Sequence, residues 1–338
     1  MTSKMIYAAF GAALAASVTG ASAGTLDDVK AKGFVQCGVN TGLPGFSVSD
    51  AKGEWKGLDA DFCRAVAAAI FNDASKVKYT PLSAKERFTA LQSGEIDLLS
   101  RNTTWTMSRD TKQGKFAGVM YYDGQGFMVR KSLGITSAKQ LGGATVCTQT
   151  GTTTELNLAD YFRTNKLEYK LVSFEKETEV VKTYDNGGCD AITTDASGLY
   201  AERLQLVKPD DHVVLPEIIS KEPLGPMVRQ GDDAWFNVVK WTYFALVAAE
   251  EAGVNSKNVD EMLAKTENPE IKRLLGKDGN FGTDIGLTNA WALQIVKLVG
   301  NYGEVFERNV GVDTPLKISR GINALWSKGG LQYAPPIR

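Results

Sequence analysis

Three short stretches of this chain crowd hydroxyls and charges where the hydrophobic pattern places the carboxyl ends of strands. They are Ser100-Arg-Asn-Thr-Thr-Trp-Thr-Met-Ser-Arg109, Gln149-Thr-Gly-Thr-Thr-Thr154 and Asp195-Ala-Ser-Gly198. Ligands of open α/β sheets bind just outside such strand ends. Arg109 offers a planar guanidinium that can grip a carboxylate through two parallel charge-assisted bonds. Gly151-Thr152-Thr153 opens a helix, so its free N–H groups and dipole can meet the same carboxylate. Asp195 supplies the counter-charge for an ammonium. Together they suit a small zwitterion. Each feature alone has a plainer reading, as a solvated arginine, a helix cap or a turn aspartate.

The segments that must position these loops alternate strand and helix, the pattern of a mostly parallel sheet covered by helices. Phe34 to Val39, Val77 to Tyr79 and Ile96 to Ser100 read as strands. A helix opened by Asp59 carries Phe62, Val66, Ala69 and Ile70 at helical spacing. Ser83 and Glu86 form a capping box, and Gly94 stands at a helix stop. A second pass runs through Thr145 to Thr148, a helix from Thr152 to Phe162 with Thr152 and Glu155 as a capping box, Tyr169 to Phe174, a helix from Glu177 to Tyr184, and Asp190 to Thr194. Leu91-Gln-Ser-Gly-Glu-Ile-Asp97 and Tyr184-Asp-Asn-Gly-Gly-Cys-Asp190 match across the two passes. So do Gly126-Phe-Met-Val-Arg-Lys131 and Gly225-Pro-Met-Val-Arg-Gln230, read here as two crossings that make a hinge. The expected division is 24–126 with 229–338 as lobe 1 and 127–228 as lobe 2. Beyond Pro269 the chain exceeds what lobe 1 requires, with an amphipathic helix expected over Trp291 to Val299.

The chain opens as a removable export signal: Lys4, an uncharged small and apolar run from Ile6 to Val18, then Ala21-Ser-Ala23. Residues 1–23 are therefore expected to be cleaved, leaving Gly24 first. A membrane anchor would need roughly 20 apolar residues. With 38 basic and 39 acidic residues, the charge balance gives no field that would attract nucleic acid or an anionic membrane. The four cysteines of an exported chain favour disulfides, with three pairings formally possible and free buried thiols as the alternative. Cys37–Cys63 and Cys147–Cys189 keep each bridge within one lobe. The single histidine, His212, lies far in sequence from any cysteine pair, so neither a metal nor a cofactor is expected.

The ordered set Gly53-x-x-x-Gly57-Leu-Asp-Ala-Asp, Leu91-x-x-Gly94-x-x-Asp97, Thr104-x-Thr106-x-x-Arg109, Gly151-Thr-Thr, Asp190 and Asp195 resembles the polar amino-acid-binding proteins of bacterial ABC importers. Longer runs, Ser83-Ala-Lys-Glu-Arg-Phe-Thr-Ala-Leu-Gln-Ser-Gly94, Tyr121 to Lys131 and Gly330 to Arg338, are similar to the general L-amino-acid-binding subfamily. The resemblance implies an α/β, two-lobed periplasmic-binding-protein-like (type II) fold with a two-segment hinge and a C-terminal extension. It implies that Arg109, Thr104, Thr152 and Thr153 hold the α-carboxylate, and that Asp195 and the Asn102 carbonyl hold the α-ammonium. Asn40 and Arg101 complete the expected ligand set. Arg101 would favour acidic or amide side chains unless it pairs with Glu86. Where histidine-type binders often stack an aromatic on the ligand, this chain has Leu43. The implied partners are free L-amino acids (glutamate, glutamine, aspartate, asparagine or a broad range) and inner-membrane permease subunits. The protein itself is expected to be a periplasmic monomer.

The rival class is a cleft enzyme on the same fold, such as a dehydratase. That would need an acid or base poised in the cleft. His212 follows Lys208-Pro-Asp-Asp, which reads as a turn-like surface segment, and no Gly-x-Ser-x-Gly, His-Glu-x-x-His or phosphate loop occurs.

Overall fold

The computed structural model describes residues 24–338, and the expected leader lies outside the described residues. Two five-stranded sheets organise the chain. The first runs Val77–Pro81, Val35–Val39, Leu98–Leu99, Met227–Val228, Lys115–Phe116. The second runs Lys170–Phe174, Thr145–Gln149, Ala191–Asp195, Gln125–Arg130, His212–Val214. In each, the first three strands are parallel and the fourth is antiparallel to the third. The sheets are therefore superposable in plan, strand for strand, through the first four positions.

That correspondence corrects the expected crossings. Gly126 to Arg130 and Met227–Val228 are not the connections; they are the fourth strands of the two sheets, which is why they look alike. The chain crosses one step earlier in each case, through Tyr121–Asp123 and Glu222–Leu224. These pair antiparallel in register Asp123 with Glu222, Tyr122 with Pro223 and Tyr121 with Leu224.

The likeness extends to the polar ties. Asp97 accepts the Gln36 N–H at 2.7 Å, and Asp190 accepts the Thr145 N–H at 2.8 Å. Each carboxylate thus fastens the start of its sheet's second strand. Arg229 donates to the carbonyls of Ile96 at 2.6 Å and Leu91 at 3.3 Å. Arg130 donates to those of Cys189 at 2.7 Å and Tyr184 at 3.0 Å. Each guanidinium thus ties a carbonyl in the last turn of a helix to one just ahead of the strand that follows. Gly94, in the left-handed region at φ 82°, stops one of those helices, Glu86–Ser93.

Both within-lobe disulfides form. Cys37–Cys63 ties a strand to the helix Leu58–Phe71 with Cα atoms 6.3 Å apart, and Cys147–Cys189 spans 5.8 Å. The Ser83/Glu86 capping box is complete. The Thr152/Glu155 box is half made: Thr152 Oγ1 accepts the Glu155 N–H, while the Glu155 carboxylate takes the Thr150 hydroxyl instead. Gly57 is obligatory, because its φ is 125° and a Cβ there would lie 2.1 Å from the Phe46 carbonyl oxygen.

The helix Leu58–Phe71 is buried almost all round, between its sheet and the helices Asp233–Glu251, Trp291–Leu298 and Tyr302–Asn309. Hence the chain beyond Pro269 joins the core of the first lobe. It also reaches the crossings. Asn323 brackets Tyr122, accepting its N–H at 2.7 Å and donating to its carbonyl at 3.0 Å. Gln332 donates to the Val119 carbonyl at 3.2 Å, and the Tyr302 hydroxyl to that of Met120 at 2.7 Å.

Candidate functional site

The carboxyl ends of the parallel strands of both sheets face one another across a narrow polar crevice. It leaves a cavity of about 30 Å³ and is lined from the first lobe by Leu43, Arg87, Arg101, Asn102 and Thr104. From the second come Gln149, Thr152 to Thr154, Glu177, Thr194, Asp195 and Gly198. The lobes touch directly: the Thr104 and Thr153 hydroxyls are 3.3 Å apart, and Asn40 Nδ2 donates to Glu177 Oε2 at 3.2 Å.

Of the eight expected ligand residues, Arg101, Asn102, Thr104, Thr152, Thr153 and Asp195 line this crevice. Arg109 stands directly behind it. Its Nη1 donates to the Thr104 carbonyl at 3.0 Å, and its guanidinium lies over the Phe88 ring, 5.2 Å from the centroid. Burial pushes its pKa down to about 10, opposed by Glu222 and Asp195. Asn40 acts as a clasp, holding Asn102 Oδ1 from one side and Glu177 from the other. Arg101 does not pair with Glu86; its Nε donates to the Leu82 carbonyl at 2.9 Å. The sequence did not single out Arg87, Glu177 or Glu222. Arg87 and Glu177 read as charges in the first turns of helices, and Glu222 lies in a crossing strand.

Three guanidiniums, Arg87, Arg101 and Arg109, are thus buried in the first lobe at 2%, 2% and 9% exposure. None has a carboxylate within ion-pair distance among the described residues. Burial, with repulsion from Arg101 and Arg109, holds Arg87 well below the ordinary arginine range. Arg87 Nε and Arg101 Nη2 have no hydrogen-bond partner among the described residues. Buried guanidinium donors left unpaired are costly, so an anion is the complement this half of the crevice lacks.

The second half carries the opposite sign. Burial, and then the neighbouring Asp123 and Glu222 carboxylates, push the Asp195 pKa well above the usual range. A cation placed against this cluster relieves that repulsion. Asp123 is occupied by the Ser197 N–H and hydroxyl and the Gly124 N–H. Glu222 accepts from the Thr153 hydroxyl at 3.0 Å and from Asn157 at 2.6 Å. That leaves Asp195 open to the crevice. Thr152 spends its hydroxyl on the Gln149 carbonyl at 2.7 Å, which leaves its main-chain N–H, at the start of the helix Thr153–Thr164, as the group it could offer. On the first lobe, Asp59, raised by burial to about 6, anchors the Ser100–Asn102 loop through the Asn102 N–H at 2.8 Å and the Ser100 hydroxyl at 3.1 Å. Asn102 is held at φ 33° there.

His212 is not on a surface turn. It is 5% exposed in a strand of the second sheet, with Nδ1 2.8 Å from the Tyr184 hydroxyl, and it does not line the crevice. The Tyr184 ring and the neighbouring strand, where it pairs with Arg130, cover it, an outcome the preceding Pro-Asp-Asp concealed.

Two parallel-type α/β lobes joined by a double crossing, with charges of opposite sign meeting in the crevice, define a two-lobed binding protein for a small solute. The chain belongs to the bacterial extracellular solute-binding proteins, family 3, whose pattern matches residues 35–267. It is 65% identical, over the full length of both chains, to the general L-amino acid-binding periplasmic protein AapJ of Rhizobium johnstonii. It is 56% identical to the glutamate/glutamine/aspartate/asparagine-binding protein BztA of Rhodobacter capsulatus, covering 96% of this chain and 97% of that one. Among solved structures, a periplasmic binding protein of an ABC transporter from Brucella ovis with glutathione bound is similar at TM-score 0.92 and 64% identity, covering 94% of this chain and 100% of that one. The family and these relatives are solute-binding proteins rather than enzymes.

Proposed function

We propose that this chain captures a free L-amino acid in the periplasm, by closure of the lobe lying between the crossings Tyr121–Asp123 and Glu222–Leu224 against the lobe built from the segments on either side of them, and passes it to ABC permease subunits. The observation that carries the reading is the meeting of unpaired buried guanidiniums from one lobe with an open carboxylate from the other in one crevice. Arg109, Thr104 and the N–H groups of Thr152 and Thr153 receive the α-carboxylate. Asp195 and the Asn102 carbonyl receive the α-ammonium. Only the closed form satisfies both ends of the zwitterion, so the ligand favours closure. Arg101 and Asn40 lie on the side-chain side. No catalytic step is assigned, because the one histidine lies away from the crevice and the carboxylates there have binding or positioning roles.

AapJ's printed breadth and BztA's acidic and amide ligands support a broad range that includes glutamate, glutamine, aspartate and asparagine. Glutathione, bound by the Brucella relative, carries a free α-amino-acid head on its γ-glutamyl end, so it offers the same groups to the same residues. A thermal-shift screen followed by titration calorimetry tests the reading with L-amino acids, their D-forms, N-acetyl and amide derivatives, and glutathione. L-amino acids with both α-groups free should stabilise the protein and the blocked forms should not. Indifference to every one of them ends the proposal.

A further inference from the structure

Glu177 opens the helix Glu177–Asp185, and Glu202 lies near the end of the helix Ala196–Arg203. The two carboxyl groups are near enough to act on one another, and burial beside a like charge disfavours ionising both, so the pair holds a proton between them. Glu177 lines the crevice; Glu202, 3% exposed, backs it, and its Oε2 receives no donor among the described residues. Across the same crevice stand the unpartnered Nη2 of Arg101 and Nε of Arg87. The charged groups facing the carboxyl pair are Arg101 and Asp195, with Arg87 beside Arg101 and with Asp59 and Glu86 close enough to influence it. The α-carboxylate and α-ammonium contacts use neither glutamate.

We propose that Glu177 and Glu202, with Arg87 and Arg101, form a side-chain subsite that accepts amides and carboxylates alike by changing its own proton content. The proposal rests on the amino-acid reading above and names its side-chain chemistry. With glutamine or asparagine, the ligand carbonyl accepts from a guanidinium, and the ligand NH2 donates to the ionised oxygen of the singly protonated pair. With glutamate or aspartate there is no NH2, and the ionised oxygen would oppose a second carboxylate. The pair then takes one proton from solvent, and the new O–H donates to the ligand while the guanidiniums hold its other oxygen. Proton balance is complete: binding the acid consumes one proton more than binding the amide. Burial raises both glutamates above the ordinary range, Glu202 further by the charge of Glu177, so the pair takes a proton more readily than exposed carboxyls do.

The test is titration calorimetry of the mature chain with L-glutamate and L-glutamine from pH 6 to 8, in buffers of different ionisation enthalpy, which counts protons directly. Glutamate should take up about one proton more than glutamine, and its affinity relative to glutamine should fall by up to about tenfold per pH unit as pH rises. In Glu177→Gln the extra uptake and the pH dependence should vanish, and Glu202→Gln supplies the same readout should the first variant fold poorly. Equal proton counts for the two ligands in the wild type overturn the subsite, as does an undiminished difference in a folded variant. Binding of other L-amino acids but of neither glutamate nor glutamine also overturns it while leaving the broader reading intact. A chain that binds no amino acid removes both.

Discussion

The sheet containing Val35–Val39 and the sheet containing Thr145–Gln149 are held by the same devices. An aspartate fastens the start of the second strand (Asp97, Asp190), an arginine closes a helix end (Arg229, Arg130), and one disulfide starts from the second strand (Cys37, Cys147). At the crevice the two lobes diverge. One contributes three buried guanidiniums, and the other contributes Asp195, Glu177 and a helix N-terminus. The ties that hold each sheet are thus separable from the residues that meet a ligand, and a repeated plan can carry opposite charge on its two working faces.

Three perturbations sharpen or break this comparison. Removing either disulfide by double Cys→Ala substitution should lower stability by roughly 3.5 kcal/mol for the bridge separated by 26 residues and roughly 4 kcal/mol for that separated by 42. Urea unfolding reads both, and a near-zero loss in one lobe would show that the matching bridges do unequal jobs. Arg109→Ala and Asp195→Ala, one from each lobe, should each weaken amino-acid binding by at least about a hundredfold with the far-UV spectrum unchanged. Wild-type affinity in either would put that residue outside the site and end the division of charge. Smallest in effect, Arg130→Ala and Arg229→Ala should each cost about 1.5–3 kcal/mol of stability, by similar amounts, because each removes charge-assisted bonds to two carbonyls. A large inequality between them would mean the two helix closures are alike only in outline.

Much of this was legible along the chain. The strand-helix alternation marked both sheets, and the glycine-to-aspartate matches marked the repeat. Looking just past the strand ends found Arg101, Asn102, Thr104, Thr152, Thr153 and Asp195. What escaped was whatever enters the crevice from elsewhere. Arg87 and Glu177 sit in first helical turns, where a charge ordinarily faces water, and Glu202 lies on a helix of about two turns, too short for its inner face to be read from the pattern. The crossings were misplaced for a related reason. Similarity between Gly126 to Lys131 and Gly225 to Gln230 reported equivalent sheet positions, and a pattern match carries no information on whether equivalent segments join lobes or lie within them. His212 was misjudged because the polar run before it reads as an exposed turn, whereas its ring is covered by Tyr184 and held by that residue's hydroxyl.

The paired strands Tyr121–Asp123 and Glu222–Leu224 are gripped from different quarters. Tyr122 is bracketed by Asn323 near the chain's far end, whereas the carbonyl of its partner Pro223 accepts the N–H of Trp105, which lies in the ligand loop between Thr104 and Arg109. The joint is splinted on one strand by the tail and wired on the other to the segment that borders the crevice. A displacement of that segment is therefore applied as torque at the pivot itself, and trimming the tail alters the stiffness against which that torque works.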